Sequence, residues 1–373
     1  DNLFAFAKAA GVKVIYTFRL LNGDKDSTAD LAQYIQRRYG AQLDYFCLGN
    51  EPDWRSYHNK DPEIKDYPSY LRKWRMFAQA IIASDPGAKF GGPDTGSDYP
   101  IPNTKNTDYN GASWTEHFAL DVQTGGRLVA ILQHDYIGQS AKGVSIPAAI
   151  DAMLSADWVN NDYPALYNHV LAPIEATHQR YRMTECNDFT GGIDGASDAF
   201  ASALWALDYM YWQAAHRAVG VNFHNKRWIY TDTIYLDHEG NLQIHPKAYG
   251  LKAFDLGSHG DLIPVTIFNP DAVNLTAYAV HESRNMYVTI INKSHGSGAQ
   301  GVDVMIAAGQ TAPHAESISL SAPNDDPAAM TGVRLGGASI TNDAPWLGKW
   351  TLLPSCEVNV APASATIVKI FIK

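Results

Sequence analysis

The sequence predicts a parallel α/β fold, a (β/α)8 barrel of which six βα units are visible, followed by an all-β sandwich. Three observations carry this prediction. Strand-like runs alternate with helical patterns up to about residue 257, and regular alternation of this kind builds a parallel sheet. Two of those runs end in a glutamate, and residues at the C-terminal ends of barrel strands are where such folds place their chemistry. From about Asp261 the texture changes to short alternating strands separated by Gly, Pro, Asn and Asp, the signature of a β-sandwich.

In chain order, the β runs are Val12–Phe18, Asp44–Gly49, Lys89–Gly92, Leu128–Gln133, Tyr181–Thr184 and Gly220–Phe223. The intervening helical patterns include Thr28–Arg38, Tyr67–Ser84, Leu166–Gln179 and Asp198–Val219. The last is the clearest. Ser197 is a good N-cap, Phe200, Leu204, Leu207 and Tyr211 share one face, and Gly220 follows its end. An eight-stranded barrel needs two more units, so the first two βα units are expected to be lacking from this chain, which opens at Asp1 already inside a helical pattern. The visible strands then become strands three to eight. The barrel is expected over residues 1–258 and the sandwich over 259–373, its strands at Ala277–Ile291, Gly301–Ile306, Ala315–Leu320, Met330–Leu335 and Ala363–Ile372.

At 373 residues, with 46% apolar and only 18% charged side chains, the chain can bury a large core. Its formal charge of −10 argues against a nucleic-acid partner. The densest basic cluster, Arg72-Lys73-Trp74-Arg75, reads as a solvated helix face. No apolar stretch reaches the ~20 residues of a membrane span. Cys47, Cys186 and Cys356 form no CxxC pair, and the first two read as buried thiols. The expected location is secreted or periplasmic.

The chemistry rests on two segments. Phe46-Cys47-Leu48-Gly49-Asn50-Glu51-Pro52 ends an apolar run in a carboxylate beside an amide, and Tyr181-Arg182-Met183-Thr184-Glu185 delivers a second carboxylate in the same way. A glycoside-cleaving site needs one carboxyl group to protonate the leaving oxygen and one to attack the anomeric carbon, ~5–5.5 Å apart when configuration is retained. Taken singly, Glu51 is equally a helix-start carboxylate and Glu185 a surface ion-pair member. The two motifs together, three strands apart, favour the catalytic pair. Neither HExxH nor CxxC spacing accompanies the histidines, and no metal or cofactor is expected.

These residues resemble the clan A retaining glycoside hydrolases, and more narrowly glycoside hydrolase family 79, the β-glucuronidase and heparanase-like family. The likeness is carried by Leu48-Gly-Asn-Glu-Pro-Asp53, Gly92-Pro-Asp-Thr-Gly96, Gln133-His-Asp-Tyr136, Thr184-Glu-Cys-Asn187 and Gly191-Gly192. It continues through Ser197-Asp-Ala-Phe200, Leu204-Trp-Ala-Leu-Asp208, Gly220-Val-Asn-Phe-His224 and His245-Pro-Lys-Ala-Tyr-Gly250.

The resemblance implies Glu51 as acid/base and Glu185 as nucleophile, with Asn50 on the sugar 2-hydroxyl. Tyr136 would donate to Glu185 or lie along the sugar, and His134 and His224 would point to the same mouth; a core position is the alternative for each. The family binds its uronate carboxylate through the loop after the nucleophile, here Asn187 to Gly192, where the amides around Gly191 and Gly192 can hold an anion. Thr190 stands where the family has a tyrosine, Asp188 would repel a uronate if it faced the site, and Tyr230, or alternatively Tyr235, matches a later tyrosine.

The expected function is therefore a retaining exo-β-glucuronidase acting on a carbohydrate substrate. The alternatives are a neutral-sugar β-glycosidase of the same clan and a non-catalytic carbohydrate-binding fragment, for which a missing N-terminal segment or separate chain would complete the barrel. A polysulfated chain as substrate would want a basic groove that the matched motifs lack.

Overall fold

The computed structural model describes residues 1–54, 61–96, 113–122, 125–139, 143–225, 230–307 and 314–372. They form two compact units: Asp1–Asp135 with Asn161–Cys186 and Arg217–Asn222, and Tyr136–Asn160 with Asn187–His216 and Phe223–Lys373.

The first unit is organised by a six-stranded sheet in unbroken sequence order. Its strands are β1 (Val14–Phe18), β2 (Leu43–Leu48), β3 (Phe90–Thr95), β4 (Leu128–Gln139), β5 (Tyr181–Thr190) and β6 (Ala218–Phe223). The β1–β2, β2–β3 and β3–β4 pairs are parallel. This is the order of six successive barrel strands, and among the described residues β1 and β6 do not pair. Tyr45, Cys47, Ala130 and Leu132 pack into one apolar cluster on the sheet.

Four helices flank the sheet, and in three of them a side chain satisfies a first-turn amide. They are α1 (Asn2–Ala10), α2 (Lys25–Tyr39), α3 (Tyr67–Ser84) and α4 (Trp114–Asp121). Asp24 accepts from the Ser27 amide, Ser113 from that of Glu116, and Asp66 forms a reciprocal capping box with Ser69. Trp74 on α3 meets Phe118 on α4 edge-on at 5.1 Å. The basic cluster on α3 differs from expectation: Lys73 is buried on Asp61 and Glu63, 2.8 Å from each, and Trp74 is core. A charge run in sequence carries no mark of the distant carboxylates that neutralise it.

The expected helix at Leu166–Gln179 is a succession of π and 3-10 turns, Tyr167–Leu171 and Ala172–Thr177. Pro173 removes an amide donor and blocks the preceding turn.

In the second unit, α5 (Ile146–Met153) precedes α6 (Phe200–Ala215) and α7 (Lys247–Gly257). Helix α6 is buried on every side from Phe200 to Gln213, so its one-face pattern understates its burial. Ala199, not Ser197, occupies the N-cap, because Ser197 Oγ donates instead to Asp188. Gly220 lies within β6, the helix having ended at His216. Helix α7 crosses α6 closely at Gly250, where a Cβ would stand 2.2 Å from the Ala203 carbonyl oxygen.

Strands β7 (Ile234–Leu236) and β8 (Leu242–Ile244) form a hairpin. The remaining strands are β9 (Asp261–Ile263), β10 (Leu275–Glu282), β11 (Asn285–Asn292), β12 (Val302–Met305), β13 (Ala315–Ser321), β14 (Arg334–Leu335), β15 (Thr351–Leu353), β16 (Glu357–Val360) and β17 (Ser364–Phe371). Seven of them make one sheet, and β12 pairs with β16 in another. Met286, Val288, Ile290, Val368 and Ile370 pack against Val358 and Val360 across the gap, the core of a small sandwich. The run Ala277–Ile291 is a hairpin rather than one strand, turning at Ser283 with φ 55°. Asp208 on α6 ties the helix to this sheet through Thr276, Tyr278 and Lys293 Nζ at 2.6 Å.

Candidate active site

Glu51 follows the end of β2 on a backbone that few residues adopt. Its φ is 46°, in the left-handed region, and its amide donates to the Asp94 carbonyl at 2.8 Å. Gly49, at φ 97°, lets the chain turn just before it. Such backbone costs on the order of 1–3 kcal/mol in a non-glycine residue and persists only where the surroundings hold it.

Glu185 lies inside β5, which continues to Thr190. The sequence reading ended that strand at Thr184 because Asn187, Asp188 and Thr190 look like loop residues. Their polar groups are instead satisfied within the protein. Lys247 Nζ donates to Asn187 Oδ1 at 2.6 Å and lies 3.3 Å from Asp188 Oδ2, and Ser197 Oγ donates to Asp188 Oδ1 at 2.8 Å. Asp188 is wholly buried, so its charge is turned inward onto Lys247.

His134, on β4, joins the two glutamates. Its Nδ1 is 3.0 Å from Glu51 Oε1 and 4.0 Å from Glu185 Oε2, and its Nε2 is 3.2 Å from Asp94 Oδ1. Burial by itself disfavours the charged ring, but the Asp94 carboxylate, its hydrogen bond, that of Glu51 and the Glu185 charge outweigh it. The ring pKa is held well above the usual histidine value. The two ring nitrogens thus face Glu51 and Asp94, and the surrounding carboxylates favour the charged ring. One oxygen of each glutamate and one ring nitrogen lie within 4.8 Å of one another. Both ring nitrogens of His134 are engaged by carboxylates.

Asp94, His134 and Glu185 border a cavity of about 390 Å³ lined also by Asn50, Thr184 and Asn222, with Phe6 and Val12 among its apolar residues. Glu51 and Glu185 remain about a quarter exposed (27% and 25%), so a substrate can reach both. Asn50 is exposed beside them.

In the second unit, the Tyr136 hydroxyl is 2.8 Å from His224 Nδ1, and Asn187 Nδ2 donates to the His224 carbonyl. Gly191 and Gly192 turn with φ of 81° and 74°, and Gly192 abuts Tyr230, whose Cβ is 3.1 Å from the position a side chain there would take. The Gly192 amide closes that turn on the Phe189 carbonyl at 2.9 Å, so it is engaged internally. Tyr230 is 43% exposed, whereas Tyr235 stacks on His245 at 4.1 Å. Cys47 and Cys186 are buried free thiols.

Searches with the sequence match no family model and no curated protein. Solved structures do match. A 4-O-α-L-rhamnosyl-β-D-glucuronidase from Fusarium oxysporum 12S is 14% identical with a TM-score of 0.73, over 98% of this chain and 79% of that one. The chain has a fold of glycoside hydrolases. A family 51 arabinofuranosidase from Xanthomonas axonopodis pv. citri is 15% identical, with a TM-score of 0.67 over 99% and 77% of the two chains. A family 44 xyloglucanase from Paenibacillus polymyxa is 14% identical, with 0.61 over 92% and 70%.

Sequence reasoning gave no role to Asp94, Asp53 or Lys247. Asp94 is the penultimate residue of β3, and the strand-end logic that found Glu51 would have raised it. Asp53 is buried, with Oδ1 accepting from the Gly96 amide at 3.1 Å and Oδ2 without a hydrogen-bond partner among the described residues. Burial pushes its carboxyl up to about 8, Glu51 adding to the rise while the Gly96 amide and His134 oppose it. The unfolded chain releases this proton near the ordinary 3.8, and the folded protein keeps it until about 8. Stability from this group therefore falls as pH rises through that window and levels off above it. Asp53→Asn cannot ionise and should flatten the fall. Melting temperatures of both proteins between pH 4 and 9 check this, and parallel curves would refute it.

Proposed function

We propose that this protein is a retaining glycoside hydrolase, with Glu51 as acid/base and Glu185 as nucleophile. The observation that carries the reading is the approach of Glu51 and Glu185, from β2 and β5, with one oxygen of each inside a 4.8 Å set joined by His134. Retaining enzymes hold their two carboxyl groups ~5–5.5 Å apart, whereas inverting ones leave ~6.5–9.5 Å for a water. The fold shared with glycoside hydrolases supports it.

The chemistry follows in two balanced steps. Glu51 gives its proton to the glycosidic oxygen while the Glu185 carboxylate attacks the anomeric carbon, and the bond to the leaving group breaks. Glu51, now ionised, takes a proton from a water that attacks the same carbon, breaking the ester to Glu185. In this reading Asn50 hydrogen-bonds the sugar and His134, 3.0 Å from Glu51, holds that carboxyl group.

For the substrate, the reading is an exo-acting β-glucuronidase, supported within the second unit by the gathering of Gly191, Gly192 and Tyr230 and by Lys247, which takes up the charge of the buried Asp188. A neutral β-glycoside is the second reading. It is favoured by Thr190 in place of a tyrosine and by the engagement of the Gly192 amide in its own turn.

A panel of nitrophenyl β-glycosides, with product configuration followed by NMR, tests both. The expected result is fastest release from the glucuronide with retained configuration. A neutral sugar winning by a wide margin would keep the mechanism and remove the uronate pocket. Inverted product, or silence on every glycoside, would overturn the assignment.

A further inference from the structure

One residue contacts the machinery on every neighbouring strand of the first unit. Asp94 is the penultimate residue of β3, with φ 67°, and is 4% exposed. Its carbonyl accepts the Glu51 amide at 2.8 Å, fixing the left-handed turn after β2. Its Oδ1 accepts His134 Nε2 from β4 at 3.2 Å and the hydroxyl of Thr184 from β5, the residue before Glu185. The other ring nitrogen of His134 rests on Glu51.

We propose that Asp94 is a positioning residue that fixes both glutamates and keeps His134 charged, so that the ring presents a proton to Glu51 throughout the cycle. The inference rests on the glycosidase reading for its catalytic half and stands apart from it for its electrostatic half.

The physical argument is one of charge and geometry. A buried imidazolium needs a counter-charge, and His134 has three carboxylates close by: Asp94, Glu51 and Glu185. Asp53 adds a fourth titratable group that interacts with the ring. Glu51 and Glu185 must change protonation or form a bond during the reaction, so neither is a constant partner. Asp94 is the carboxylate on the far side of the ring, and it takes part in no bond making. It therefore holds the charge of His134 steady while the glutamates change theirs, and Nε2–H bound to Oδ1 leaves Nδ1–H aimed at Glu51. The same oxygen that anchors the ring anchors Thr184, so one carboxylate sets the spacing of β4 and β5 at the site.

The test uses the whole protein and Asp94→Asn, a near-isosteric change that removes only the charge. The His134 ring is titrated by NMR in both proteins, its signal assigned by comparison with His134→Gln. In the wild type the ring midpoint should lie well above 6.5, and in Asp94→Asn it should fall by about 1–3 pH units. On the best glycoside, kcat/KM should drop about 100-fold, mostly in kcat, and the alkaline limb of its pH profile should shift the same way.

A wild-type ring titrating at or below 6.5 would overturn the proposal without any variant. So would an unmoved ring midpoint and an unmoved pH profile in Asp94→Asn, whatever the loss of rate, because a merely structural residue would behave that way. A wild type silent on all glycosides but with the ring shifting as stated would remove the glycosidase reading and the catalytic half of the proposal. It would leave Asp94's hold on His134 confirmed.

Discussion

Glu185→Ala should abolish turnover of an aryl glycoside, with a loss of about 10⁵-fold or more, because no covalent intermediate can form without its carboxylate. Glu51→Ala should lose less, about 10²–10⁴-fold, the usual contribution of a general acid, and least with leaving groups that need no proton. Added azide separates the two roles. In Glu185→Ala the cavity vacated by the carboxylate admits azide to the face the nucleophile occupied, and the glycosyl azide formed has inverted configuration. In Glu51→Ala the glycosyl-enzyme still forms, azide attacks it in place of water, and the product keeps the configuration of the substrate. NMR of the two azides reads the assignment directly. Exchange of the two outcomes would make Glu51 the nucleophile, and azide products from neither variant would remove the double displacement.

Much of this arrangement is legible in the sequence, for a physical reason. A parallel strand buried on both faces must be apolar, so its end is marked by the first polar residues that follow. Glu51 after Phe46-Cys47-Leu48 is found in that way, and the six-strand order follows from alternation. The same signal fails where the polar residues after an apolar run are themselves buried and partnered. Strand β5 runs on to Thr190 because Lys247, far away in sequence, takes up the charge of Asp188 and the amide oxygen of Asn187. Strand β4 runs past Gln133, its buried His134 being partnered by Asp94 and Glu51.

Capping fails for a related reason. Ser197 has the composition of an N-cap, but its hydroxyl is drawn to Asp188 and its oxygen also accepts from the Ile193 amide, so the helix begins later. Local propensity ranks what a side chain can do near its own backbone, and a buried carboxylate offers it a stronger partner. The misses at β4, β5 and Lys73 are polar groups whose partners lie elsewhere in the sequence. The site is built from just such groups, which explains why the glutamates were readable and the residues that hold them were not.

Lys247→Met should destabilise the fold by about 3–5 kcal/mol, since removing one member of a buried ion pair leaves the other charge uncompensated. Lys247 is fully buried. Its ammonium donates to Asn187 Oδ1 and to the Thr231 carbonyl at 3.0 Å, lies 3.3 Å from Asp188 Oδ2, and stands 5.7 Å from the Trp205 ring. Methionine keeps the stem and much of the packing but offers no proton, so Asp188 is left with Ser197 and the Phe189 amide to offset its charge. A fall in melting temperature on the order of 10 °C follows from that loss. The double variant Lys247→Met/Asp188→Asn decides whether the cost comes from the stranded charge or from lost packing. Neutralising Asp188 should restore at least half of the stability, because the pair's desolvation is then removed from both sides. Additive losses in the double variant would mean that the ion pair has no coupling, and that Lys247 contributes through its hydrogen bonds to Asn187 and Thr231 alone.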